Sequence, residues 1–136
     1  SPDGKLLAIT ASTSYERKYE EKIILYRLED NKVVGDLPLQ GFGNFAFSPD
    51  SRYVATAYAT GGGGSGDIFG YYPSSQPRYS HLVLWELVRS GDRYYPKKRR
   101  HIKSKKDYSF SPLAFSSDGK ILASGGNKRI SLWQIP

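Results

Sequence analysis

The feature that most constrains how this 136-residue chain can fold is a motif that occurs three times. Ser1-Pro2-Asp3-Gly4-Lys5-Leu6-Leu7-Ala8, Ser48-Pro49-Asp50-Ser51-Arg52-Tyr53-Val54-Ala55 and Ser116-Ser117-Asp118-Gly119-Lys120-Ile121-Leu122-Ala123 are copies of one pattern, a polar turn running into an apolar stretch. A pattern repeated at intervals means a supersecondary unit stacked on copies of itself, because one unit cannot bury its apolar face alone. Two copies are preceded by a matching apolar step, Phe45-Ala46-Phe47 and Leu113-Ala114-Phe115, so the unit reads strand, tight turn, strand. Asp suits such a turn because its carboxylate bonds the backbone just beyond it, and Gly because it tolerates positive φ.

Each copy is followed by a further short run ending in an aromatic residue: Ile23-Ile24-Leu25-Tyr26, Leu82-Val83-Leu84-Trp85 and Ile130-Ser131-Leu132-Trp133. From turn Asp to aromatic the separations are 23, 35 and 15 residues, and from aromatic to the next turn Asp they are 24 and 33. The shortest of each kind define a unit of 39 residues, close to the roughly 40–45 of a four-stranded propeller blade. The 14 Gly, 8 Pro and 11 Tyr favour many short pleated elements joined by turns, and an all-β fold is expected.

The pattern resembles the WD-repeat family, in which a Phe-Ser-Pro-Asp-Gly turn leads into a strand and an aromatic strand follows. The resemblance implies a partial β-propeller of four-stranded antiparallel blades, with blade remnants at 1–40, 41–107 and 108–136. In similar proteins a His, a Ser or Thr, an Asp and the Trp form a buried polar chain, and Thr56 with Trp85 and Ser124 with Trp133 match two of these positions. The chain departs elsewhere: Ile9 and Tyr26 replace the hydroxyl and the Trp in the first copy, and Arg27, Glu86 and Gln134 stand where the family has Asp. Asp3, Asp50 and Asp118 recur once per copy, and recurrence at a turn marks structure rather than a unique active site.

Residues in excess of the minimal unit fall between the second and third strands, which gain 8 and 20, and after the second aromatic strand, which gains 9. The last nine are assigned to the connection between blades, so all the additions are expected on one face of the propeller, where loops on a rigid scaffold carry function. The segment 60–80, with Gly61–Gly64 and Gly66, is expected to be a flexible insertion, and Phe69, Tyr71 and Tyr72 within it are candidates for contact with a protein partner. It is no phosphate loop, since Asp67 and Ile68 follow Gly66 where Lys and Ser or Thr would be needed. The mixed charges from Tyr15 to Lys22 read as a solvated strand extension.

The second candidate is 93–106, expected to be a mobile basic loop. It holds Arg93, Lys97, Lys98, Arg99, Arg100, Lys103, Lys105 and Lys106 and no acid, and it carries the whole formal charge of +7. Lys97, Lys98, Arg99, Arg100, Lys103, Lys105 and Lys106 are candidate contacts for an anionic partner: nucleic-acid phosphate, an acidic protein segment, anionic lipid head groups, or an import receptor reading Lys97 to Arg100; a solvated loop without a partner is the plainer alternative. Tyr94, Tyr95 and Tyr108 flank the run and could stack on bases, though strand positions suit Tyr better.

No Cys is present and the two His, His81 and His101, cannot assemble a metal cluster by themselves. No cofactor and no catalytic residue is expected, and the function expected is that of a protein-binding scaffold, with nucleic-acid or anionic-surface binding through the basic run as the alternative. No leader or apolar run long enough to cross a bilayer is seen, and a cytoplasmic or nuclear location is expected. A chain without Met at position 1 is expected to begin inside a longer protein that supplies the remaining blades.

Overall fold

The computed structural model describes residues 1–15, 18–39, 43–60, 66–67, 70–71, 79–105, 110, 112–126 and 128–136. Among them there is no helix. The strands are β1 (Leu6–Tyr15), β2 (Lys18–Arg27), β3 (Lys32–Leu39), β4 (Asn44–Phe47), β5 (Tyr53–Thr60), β6 (Gly66–Asp67), β7 (Gly70–Tyr71), β8 (Tyr79–Ser90), β9 (Arg93–Lys105), β10 (Leu113–Phe115), β11 (Ile121–Gly126) and β12 (Arg129–Gln134). They form three antiparallel sheets in the orders β1-β2-β3, β4-β5-β8-β9 and β10-β11-β12, with β6 and β7 paired on their own. One sheet therefore has the full complement of four strands and its neighbours have three.

The three sheets stack because their apolar residues alternate. In β8, Val83, Trp85 and Leu87 join Val54 of β5 in a cluster with Leu6, Ile23, Leu25, Val34, Leu37 and Leu39 of the first sheet. Leu82 and Leu84, pointing the other way, join Ala55 and Ala57 in a second cluster with Phe110 and Leu122, against which Trp133 and Phe115 pack. Side chains one apart on a strand face opposite sides, so a strand in a middle sheet with neighbours on both sides is buried on both faces. That is why Ser80 to Trp85 are all buried. The outermost strands β3 and β9 lie against each other, as do the innermost β4 and β10, so the sheets succeed one another with the same edges in line.

Each repeated motif closes its turn in the same way. Tyr53 N–H donates to Ser48 Oγ at 2.9 Å, the Ser48 hydroxyl donates to Asp50 Oδ1 at 2.5 Å, and Arg52 N–H donates to the same carboxylate oxygen at 3.1 Å. Ser116 and Asp118 repeat the network with Ile121 and Lys120, and Ser1 and Asp3 repeat it with Leu6 and Lys5. These hydroxyls hold Asp3 and Asp118 below the usual carboxylate range. At Asp50 burial works in the opposite direction, but the Ser48 hydroxyl and the Arg52 amide outweigh it. The residue after each Asp has positive φ: 70° at Gly4, 59° at Ser51 and 71° at Gly119.

The structure corrects three boundaries drawn from the sequence. The basic run is not a loop: over Arg93–Lys105 it is β9, paired with β8 along its length. Thr60, Tyr79 and Ser80 belong to β5 and β8 rather than to the insertion, and most of what lies between them falls outside the described residues. The nine extra residues after Trp85 do not all lie in the connection between sheets. Tyr26 pairs with Val33 across the first β2–β3 hairpin, seven residues on, whereas Trp85 pairs with Lys98, thirteen residues on. Most of the addition thus lengthens the β8–β9 hairpin, at the end of the sheet opposite the glycine-rich insertion.

Candidate interaction surface

The cations of β9 sit on the outer edge strand of the four-stranded sheet, and pairing with β8 sorts them by side. Lys98 is opposite Trp85 and Lys103 opposite His81, so both lie on the side facing the first sheet. Lys97 is opposite Glu86 and Arg100 opposite Leu84, on the side facing the third sheet. A register shift between Leu84 and Trp85 leaves Arg99 at a bulge, which turns its side chain so that Nε donates to Glu86 Oε2 at 2.7 Å. Arg52 approaches the other Glu86 oxygen at 3.5 Å. The hydrogen bonds from Arg99 hold Glu86 below the usual range for a glutamate.

Three of the remaining cations, Lys98, Arg100 and Lys103, lean on rings. Lys98 Nζ lies 5.4 Å from the centre of Trp85, Lys103 Nζ 4.1 Å from that of Tyr79, and the Arg100 guanidinium 5.9 Å from that of Trp133. Arg100 also donates to the Gln134 carbonyl at 3.4 Å. Cations over aromatic faces are held by the ring quadrupole at a cost of little hydration, so the charges are placed without being neutralised. Lys97, Lys98, Arg99, Arg100 and Lys103 are all exposed as residues. For Lys105 the backbone alone is described, and Lys106 lies outside the described residues. Tyr94 and Tyr95 are strand residues of β9, and Tyr94 packs on the first apolar cluster; Tyr108 lies outside the described residues.

Of the candidate contacts in the insertion, Phe69 and Tyr72 lie outside the described residues, and Tyr71 ends the short strand β7. The insertion leaves the sheet where Thr60 pairs with Tyr79 and Tyr79 with Lys105. Only the C-terminal end of the basic run reaches that end of the sheet. The single shared face expected for the two segments is therefore replaced by an edge running the length of β9 with the insertion at one end of it.

The two histidines, separate in sequence, meet on the sheet. His81 Nδ1 and His101 Nε2 are 2.9 Å apart, His81 Nε2 is 2.7 Å from Thr60 Oγ1, and Tyr58 stacks on His81 with ring centres 4.7 Å apart. Burial, with His101 and Lys103 nearby, pushes the His81 pKa below its ordinary value. Sequence reasoning missed this chain of groups because it needs the exact register of β5, β8 and β9. Among the described residues no group of three or more potential metal ligands is found.

The two hydroxyl–indole pairs are both formed. Trp85 Nε1–H donates to Thr56 Oγ1 at 3.0 Å and Trp133 Nε1–H donates to Ser124 Oγ at 3.0 Å. The second pair lies within residues 113–134, which match the family model described as WD domain, G-beta repeat. The chain carries a WD repeat. The matched residues run from the first residue of β10 to the last of β12, and the same sequence of turn, strand and indole recurs in the sheet before it. All-β among the described residues, with successive antiparallel sheets in face-to-face contact, the chain has the architecture expected of a partial WD-repeat β-propeller. No curated protein and no solved structure matches it. WD repeats generally mediate protein–protein interactions. Among the described residues no helix is long and apolar enough to cross a membrane.

Proposed function

We propose that the chain is a non-enzymatic, protein-binding scaffold whose contact surface is the cationic outer edge of the middle blade together with the insertion that bears Phe69, Tyr71 and Tyr72. The observation that carries this reading is the placement of β9. The faces of the middle sheet are used up in packing against its neighbours, so the edge is where charge and backbone are left open to a partner. A partner surface rich in Asp and Glu complements it. The setting proposed is the cytoplasm or nucleus.

Nucleic-acid binding is the second reading, favoured by the uniform sign of the charge on β9. Against it stand the engagement of Arg99 with Glu86 and the seating of Lys98, Lys103 and Arg100 on rings of the chain itself. Salt separates the two. Binding that releases counterions from several phosphates weakens by orders of magnitude between about 50 and 200 mM salt, whereas a protein interface with apolar anchors responds far less.

The test is to identify partners by crosslinking and to compare them for the unaltered chain, a Lys97→Ser/Lys98→Ser/Arg100→Ser variant and a Phe69→Ala/Tyr71→Ala/Tyr72→Ala variant. Loss of one protein partner in either variant supports the scaffold. Recovery of nucleic acid alone, or partner sets that neither variant changes, overturns it.

A further inference from the structure

We propose that the outer edge of β9 accepts an extended acidic polypeptide segment as a fifth strand of the middle sheet. The inference rests on the scaffold reading and narrows it to a mode of docking and a kind of partner. β9 pairs with β8 from Arg93 to Lys105, and among the described residues no strand pairs with its other edge. In an antiparallel ladder successive residues direct their N–H and C=O alternately toward the partner and away from it. Outside the Arg99 bulge, and apart from Pro96, which has no N–H, every second residue of β9 therefore offers a donor and an acceptor outward, a template for one more strand.

The side chains say which strand fits. Lys98 and Lys103 lie on one side of the edge, Lys97 and Arg100 on the other. An added strand presents its own side chains alternately to the two sides with the same period, so acids on both of its faces meet cations about 5 Å away across the new pair. A second copy of β9 would bring like charges together and is repelled. Phosphate is a poorer occupant for two reasons: it accepts hydrogen bonds but donates none to the outward carbonyls, and a duplex needs its cations on one surface rather than split between two.

The open stretch has a defined upper limit. At Gly35 β3 comes so close to β9 that a Cβ there would sit 2.5 Å from the Tyr94 carbonyl oxygen, and Pro96 has no N–H to offer, so the usable edge starts at Lys97. From Lys97 to Lys105 the edge has room for a segment of about six to eight residues, each advancing it by about 3.4 Å.

The test uses the full 136-residue chain and fluorescent eight-residue peptides in which pairs of adjacent Glu, one on each face of the strand, are separated by Val and Thr. Two further peptides carry N-methyl groups on alternate residues, one set blocking the donors on one edge of the peptide strand and the second set the other edge. Expected are a weakening of at least tenfold for one N-methylated peptide and little change for the other. Slowed amide exchange at alternate residues between Lys97 and Lys105 is expected as well. A Lys97→Glu/Arg100→Glu variant loses binding to the parent peptide. Equal binding of both N-methylated peptides overturns the strand mode, and tighter binding of an oligonucleotide of equal charge overturns the choice of partner. If no peptide binds while a crosslinked protein partner is still lost on altering Phe69, Tyr71 and Tyr72, the edge proposal falls and the scaffold reading stands.

Discussion

Ser51 holds a backbone conformation, φ 59°, that the other two copies of the turn give to glycine. For a residue with a Cβ this region costs roughly 1 kcal/mol. Its hydroxyl accepts a bond of 3.2 Å from the exposed amide of Asp3, which offsets little of that cost. Ser51→Gly is therefore expected to raise the stability by up to about 1 kcal/mol, read as a higher urea midpoint with an unchanged slope. The Ser two residues before each Asp is the opposite case. Ser48 is buried, and its hydroxyl serves the Asp50 carboxylate and the Tyr53 amide at once, so Ser48→Ala should cost about 1–3 kcal/mol. Ser1, Ser48 and Ser116 are all visible in the repeat, but the serine's part emerges only when the turn is closed. His81 gives a pH dependence with a definite sign. Because burial lowers its folded pKa, the unfolded chain takes up the proton first, so stability is full above about pH 6.5 and declines as pH falls from there toward the folded value. Urea midpoints between pH 8 and 5 measure it, and His81→Gln should flatten the slope; an unaltered slope would assign the decline to other groups.

At the level of the elements, what could be read from the sequence was whatever depended on neighbours along the chain. The three turns, the strands that follow them and the indole strands ending in Trp85 and Trp133 have short-range signatures of alternating apolar residues and turn chemistry. β9 has none. With Lys97, Lys98, Arg99 and Arg100 in succession no alternation survives, and the run looks like solvent-exposed loop. It is a strand because β8, buried from Ser80 to Trp85 in the middle of a stack, has backbone groups on its outer side that need partners, and the segment after the turn supplies them. Cationic residues are also tolerated best at an edge, where they discourage unwanted pairing. The same logic locates a weak point between elements. Gly35→Ala forces a methyl group toward the Tyr94 carbonyl, and the displacement of β3 from β9 is expected to cost about 1–3 kcal/mol, seen as a lower Tm. A substitution at Gly91, where a Cβ would meet nothing although φ is positive, provides a control that separates steric crowding from backbone strain.

For the whole molecule, the stack leaves two apolar surfaces in solvent. Ile130 and Leu132 are 78% and 67% exposed on the outer side of the third sheet, and Leu7, Ile9 and Val33 are partly exposed on the outer side of the first. Apolar faces of this kind associate when nothing covers them. Ile130→Asp with Leu132→Lys is expected to reduce self-association of the 136-residue chain, measured by light scattering, while leaving its Tm within a few degrees. Scattering that stays the same would place the adhesive surface on the first sheet or elsewhere.

From Ser80 to Trp85 β8 is enclosed: another strand along each edge, a neighbouring sheet above and another below. Its amide hydrogens there are bonded within the sheet and reach solvent only if a flanking strand is stripped away, so deuterium should enter last at those facing β5, near the rate of global unfolding. Loss of either terminal sheet would strip away one of those covers, and a protease cutting in the first or the third sheet would be expected to release the other two as a shorter-lived remnant rather than as an independent domain.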